Sequence, residues 1–312
     1  MPNRTKSILG LTAAIISIST ASILIRFAQV RLSSLTIATS RLVLSSIILF
    51  PFILSRNFFE IRKKLEPKMI FLIIISGIFL AFHFASWITS LEMTRITSSV
   101  VLVTTTPIWV AILSKWFLGE SVGRNVWIGL FIAFTGIILI TAISSNNLPA
   151  LQSNMLRTDS NLGHLKVIKG NLLALTGAFC AAGYVISGKI ARRHITTGSY
   201  VFLVYSIAGL MLFLISLVSG QLIIKIELRD WTWLVLLALI PQVIGHSLIN
   251  WALGVLPAAY VSISLLGEPI GSSLLAYLFL GEIPTLNEII GAIIVLSGIV
   301  IASLPGKKNQ SL

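Results

Sequence analysis

The sequence predicts an all-α integral membrane protein of ten transmembrane helices, arranged as two inverted five-helix repeats. Three observations predict it. The 312 residues have a mean hydropathy of +0.97 and only 11% charged side chains, against roughly 25% in a soluble domain. Apolar stretches close to the ~20 residues that a spanning helix needs follow one another almost end to end. A segment of the first half recurs in the second at a constant offset.

The first span, 8–28, follows Arg4 and Lys6 as a secretory signal would. It is long, however, and lacks a small-residue cleavage site before the next apolar run, so it reads as a retained span. The second, 35–55, carries Arg41 near its outer end, and the third, 69–90, carries His83 and Trp87. The fourth, 97–117, contains Pro107, and the fifth, 124–144, contains Gly129 and Gly136. A polar stretch, 145–169, separates these from the sixth and seventh spans, 170–190 and 199–219. The eighth, 231–252, holds Gln242, His246 and Asn250, the ninth, 257–280, holds Glu268 and Pro269, and the tenth, 286–304, holds Gly291 and Gly298.

The formal charge of +13 sits in short loops between spans rather than along one soluble face, which argues against nucleic acid as a partner. With the N-terminus cytoplasmic, 14 of the 23 Lys and Arg residues fall on the inner side. The expectation is therefore a multi-pass protein of the cell (inner or plasma) membrane with both termini cytoplasmic. The lone Cys180 excludes an internal disulfide and a thiolate metal cluster and reads as a small packing residue. No motif calls for a cofactor or metal.

Shifted by 162 residues, TTPIWVAILSKWFLGE (105–120) lies over GEPIGSSLLAYLFLGE (267–282). Pro107 meets Pro269, Leu113 meets Leu275, and the Phe-Leu-Gly-Glu of 117–120 meets that of 279–282. In the same register Gly129 meets Gly291 and Gly136 meets Gly298. The chain thus divides into a first repeat, 1–144, a linker loop, 145–169, and a second repeat, 170–312. An odd number of spans makes the second copy enter from the opposite side, the architecture of alternating-access transporters.

This pattern resembles the EamA-like branch of the drug/metabolite transporter superfamily: each half has Pro and, twelve positions on, Gly-Glu ahead of a glycine-spaced last helix. SRLVLSSIILF (40–50) is similar to that family as well. The resemblance covers essentially the whole chain. It implies a bacterial-type inner-membrane permease, usually an exporter of amino acids or other small metabolites, with a central cavity between the halves. It implies no substrate. Thr106-Pro107 stands where the second half has Glu268-Pro269, so carboxylate chemistry at that site is one-sided.

An ionisable group at the bilayer centre costs about 2.5–3.5 kcal/mol on insertion scales, so Glu268 is expected to face the bundle interior or a wet cavity. There it holds a proton until a cation or a substrate ammonium replaces it, or else serves as a neutral hydrogen-bonding group in packing. Pro269 cannot donate to the carbonyl of Leu265, which predicts a kink and a freed acceptor; Pro107 predicts the same in the first half. Tyr260, Ser264, Glu268 and Ser272 share one face at spacing four. So do Gln242, His246 and Asn250, a hydrogen-bonding stripe that must find partners in the bundle.

In the third span, His83, Ser86, Trp87 and Ser90 form the counterpart, and a one-residue gap lays His83 over His246 and Trp87 over Asn250. Two such histidines bracket a cavity as substrate ligands, proton relays or hydrogen-bonders. Trp87 offers an aromatic wall or a packing surface. Arg41 either snorkels to the interface or pairs with a substrate carboxylate or with Glu92. Glu120 and Glu282 are expected to cap the helices that follow them. The glycines 129, 136, 291 and 298 are expected to permit close helix packing, between halves or in a homodimer.

A membrane enzyme needs a nucleophile with its base, a metal cluster or a phosphate-cradling loop, and no such motif is present. A passive channel needs charged rings or filter repeats, which are also absent. A multidrug exporter of hydrophobic cations, with Glu268 as the counter-charge, is the alternative within transport. The expectation is a permease that moves a small amino-acid-like or amphiphilic metabolite outward, with proton exchange through Glu268 as a further expectation.

Overall fold

A computed structural model describes residues 4–56, 66–118, 123–143, 160–192, 194–221, 226–255, 261, 265 and 267–304. Among them every regular element is helical. The first half contributes α1 (Arg4–Ser19), α2 (Ala21–Ala28), α3 (Ser34–Arg56), α4 (Pro67–Met93), α5 (Ile96–Val103), α6 (Thr106–Leu118) and α7 (Arg124–Ile143). The second contributes α8 (Ser160–Ala191), α9 (Thr197–Val218) and α10 (Leu228–Leu237), then a π-helical segment (Ala238–His246), α11 (Ser247–Val255), α12 (Gly267–Leu280) and α13 (Leu286–Ser303).

Seven helical runs among the described residues are long and apolar enough to cross a membrane, and Trp127–Gly136 and Leu286–Gly298 are shorter apolar helices. The ninth expected span is represented by the 14 residues of α12, and 256–260 and 262–264 lie outside the described residues. Helix α8 begins at Ser160, inside the stretch 145–169 that the sequence assigns to a linker loop. Large apolar side chains such as Trp116 (81% exposed), Phe131 and Leu278 cover the outside, a surface that hydrocarbon accepts and water does not.

Two of the expected spans are broken. Between α1 and α2, Thr20 turns its hydroxyl onto the carbonyl of Ser17 at 2.7 Å. Between α5 and α6, Thr104 and Thr105 donate their hydroxyls to the carbonyls of Val100 and Leu102. Such back-bonding competes with the helical ladder and bends it. Pro107 lacks an N–H for the carbonyl of Val103, and the Thr106 hydroxyl takes that acceptor at 2.8 Å.

The second half solves the same problem differently. Pro269 lies in the first turn of α12, where a missing N–H costs nothing, and the carbonyl of Leu265 accepts from the Glu268 N–H at 3.0 Å. Pro269 therefore marks a helix start rather than a mid-helix kink, and the acceptor expected to be free is occupied.

The halves interleave. Helix α8 packs along α4, α13 along α7, and α9 along α3 and α4. Helix α1 packs on the π segment and on α12, α6 packs on α8, and α5 packs on α12. Exchanging the two halves maps these contacts onto one another: α4 with α8 becomes the π segment with α1, and α6 with α8 becomes α12 with α1.

Gly129, Gly136, Gly291 and Gly298 are all buried in the α7–α13 seam. A Cβ on Gly136 would stand 2.8 Å from the carbonyl oxygen of Gly291, and one on Gly298 would stand 2.6 Å from that of Gly129. The four glycines thus let these two helices touch backbone to backbone within one chain.

Candidate functional site

The α5–α6 break faces a cavity of about 110 Å³, roomy where one water needs roughly 10–15 Å³. Ile18 of α1, Leu80, His83 and Trp87 of α4, and Thr104, Thr106 and Pro107 at the α5–α6 break line one part. Ala181, Tyr184 and Val185 of α8, His246, Ile249 and Asn250, and Val261, Leu265 and Glu268 line the rest. Thr106-Pro107 and Glu268, equivalent positions of the two repeats, thus look into one space.

The polar lining is held in place by its neighbours. His83 Nδ1 lies 2.9 Å from the carbonyl of Gly177; a carbonyl only accepts, so Nδ1 carries the proton and Nε2 is the free acceptor. Gly177 allows that approach, since a Cβ there would meet Trp87 at 3.3 Å. Trp87 stacks near His83 with ring centroids 6.0 Å apart. Asn250 Nδ2 donates to the Tyr184 hydroxyl at 2.7 Å and to the His246 carbonyl at 2.8 Å. The structure thus adds Tyr184 to the residues that the sequence singles out and brings Thr106 into the same cavity.

Gln242 does not share the cavity with His246 and Asn250. Spacing four keeps residues on one face of an α-helix, but the π segment bonds i to i+5 and widens the turn. Gln242 therefore faces α3, where its Oε1 accepts from Arg41 Nε at 2.8 Å. Arg41 is 0% exposed, which overturns the snorkelling alternative. Glu92 is not its partner: that carboxylate accepts from the backbone N–H and hydroxyl of Ser34 at 3.0 and 2.5 Å. Tyr260 and Ser264, read from the sequence onto the face of Glu268, lie outside the described residues, as does Glu120.

Glu282 caps a helix of the other half instead of the one after it. Its carboxylate accepts from the N–H of Ile96 at the start of α5 at 3.0 Å. Helix α13 has its own capping box, in which Thr285 and Glu288 serve each other's backbone N–H groups. Cys180 is buried in α8.

A multi-pass helical bundle with a largely apolar internal cavity carrying a few polar groups at a break in one of its spans has the build of a membrane transporter. The model of the EamA-like transporter family matches residues 5–142 and again residues 168–304. The chain belongs to that family. It is similar to the uncharacterized transporter YdfC of Bacillus subtilis, with 26% identity over 217 residues, 68% of this chain and 64% of that protein. It is also similar to the S-adenosylmethionine uptake transporter of Rickettsia felis, with 27% identity over 126 residues, 40% of this chain and 42% of that one.

These matches span less than two thirds of either relative's length. One solved crystal structure shares the fold at a TM-score of 0.65 and 14% identity, over 98% of this chain and all of that one.

Proposed function

We propose that the chain is a ten-helix permease of the cell membrane that moves a small amphiphilic, amino-acid-like metabolite by alternating access. Its units are the inverted repeats 1–144 and 170–312, joined through 145–169, with both termini cytoplasmic. The double family match, the repeat at offset 162 and the exchange of contacts between halves support two equivalent units. The observation that carries the reading is the cavity itself, which Glu268 at the start of α12 shares with Thr104, Thr106 and Pro107 at the α5–α6 break.

Glu268 is the acid of that cavity and the group that takes a proton or a substrate ammonium. His246, His83, Trp87, Tyr184 and Asn250 give the solute an aromatic and hydrogen-bonding surround. Outward movement is the direction inferred. The Rickettsia relatives named for uptake favour a second reading, in which an organic cation with an aromatic group enters through the same site.

Reconstituted protein, loaded with a panel of amino acids and S-adenosylmethionine under an imposed pH gradient, tests both. Solute-specific flux across the bilayer is expected, and Glu268→Gln is expected to remove its dependence on the gradient. Gradient-driven flux that persists in Glu268→Gln rejects the coupling role, and the absence of flux for every solute rejects the permease.

A further inference from the structure

Behind the aromatic wall of the cavity lies a group of buried donors that the cavity does not use. Arg41 spends Nε on Gln242, while its Nη1 and Nη2 have no hydrogen-bond partner. Gln242 Nε2 and Trp87 Nε1 are likewise unpartnered. The Tyr205 hydroxyl approaches Gln242 and Ser247 without reaching hydrogen-bond geometry with either. The side-chain oxygens left in the group are the hydroxyls of Tyr205 and Ser247 and the Gln242 oxygen already used.

A fully buried guanidinium without a counter-charge is costly by several kcal/mol, and unpaired buried donors add about 1–3 kcal/mol each. The Phe84 ring gives partial relief, lying under the guanidinium at 4.2 Å. Phe84 is also the partition: the His246 ring, which lines the cavity, meets it edge-on at 5.4 Å. Trp87 belongs to both compartments, lining the cavity and standing 6.0 Å from the guanidinium. The carboxylate within Coulombic reach of Arg41 is Glu268.

We propose that Arg41, Gln242 and Tyr205 form the receptor for the carboxylate of the transported solute, with Glu268 receiving its ammonium end. Resting on the permease reading, this narrows the solute to a zwitterion. A carboxylate suits the site because it offers about four lone-pair positions to a guanidinium fork and two neutral donors. To reach the fully buried guanidinium, the solute must displace the Phe84 and Trp87 rings, and its two charges then meet opposite charges in hydrocarbon surroundings.

Purified full-length protein in detergent, with sulfate as background anion, is melted against three probes: norleucine, hexanoate and pentylamine. All three are expected to raise the apparent melting temperature saturably. The hexanoate shift is expected to vanish in Arg41→Met and to survive in Glu268→Gln, and the pentylamine shift to do the reverse. Should Arg41→Met fail to fold, Tyr205→Phe removes one donor and keeps the charge. It is expected to weaken hexanoate binding about tenfold, as the loss of a hydrogen bond to a charged group does.

The assignment is overturned if hexanoate gives no shift, if its shift survives Arg41→Met or is unchanged in Tyr205→Phe, or if chloride competes with it at equal affinity. A pentylamine shift without a hexanoate shift rejects the carboxylate receptor and leaves the cavity reading standing. Loss of both rejects the cavity as well.

Discussion

Tyr184 shows what a single residue can hide. Its polar companion at helical spacing is Ser187, a small residue ordinary in packed membrane helices, so little in the pattern distinguishes Tyr184 from a packing aromatic. Only the fold brings its hydroxyl to Asn250. Glu268, His83, Trp87, His246 and Asn250 were legible because isolated polar groups in hydrocarbon need an interior to face. For Tyr184→Phe, the Asn250 amide loses one of its two acceptors in a buried place and keeps the His246 carbonyl, which costs about 1–3 kcal/mol. Thermal unfolding in detergent is expected to show a lower midpoint, and solute binding to weaken several-fold. An unchanged midpoint together with unchanged affinity removes Tyr184 from the site.

At the scale of elements, long apolar runs betrayed the spans, while the breaks within them stayed hidden. Thr104 and Thr105 are ordinary residues for a membrane helix, and whether their hydroxyls bond back onto the chain depends on what packs beside them. The glycine spacing was legible because it recurs in both halves, although sequence alone did not say whether the partner helix lay in the same chain. Alanine at position 136 gains about 0.8–1 kcal/mol of helix propensity over glycine. Its methyl group meets the backbone oxygen of Gly291, which has no rotamer to escape into, and overpacking costs about 1–3 kcal/mol. Gly136→Ala is thus expected to lower the midpoint of unfolding, and a rise would show that α7 and α13 are free to separate.

For the whole molecule, the proposed inverted arrangement makes a prediction about sidedness. Ser33 follows α2 and His194 follows α8, and under the 162-residue shift the two positions differ by a single residue. Equivalent loops of inverted repeats lie on opposite faces of the membrane. In a Cys180→Ser background, Ser33→Cys is expected to react with a membrane-impermeant maleimide on intact cells. His194→Cys is expected to react only after permeabilisation. Labelling of both from outside would mean that the halves are parallel. On the Ser33 side the halves are tied by charge: Arg31 meets Glu227 at 2.5 Å, and Arg95 meets Glu288 at 3.6 Å.

The π segment has a consequence for chain length. The third and eighth spans align only with a one-residue gap, and the added residue can be absorbed between Ala238 and His246, where the turn widens. Deleting one residue there lets the wide turn relax to an ordinary one and leaves Asn250, downstream, on the face that it already presents. Inserting one instead finds no second wide turn to absorb it and would rotate everything downstream by about 100°, swinging Asn250 off the tyrosine. In this stretch an omission is tolerated, while an addition is as damaging as a direct hit on the binding groups.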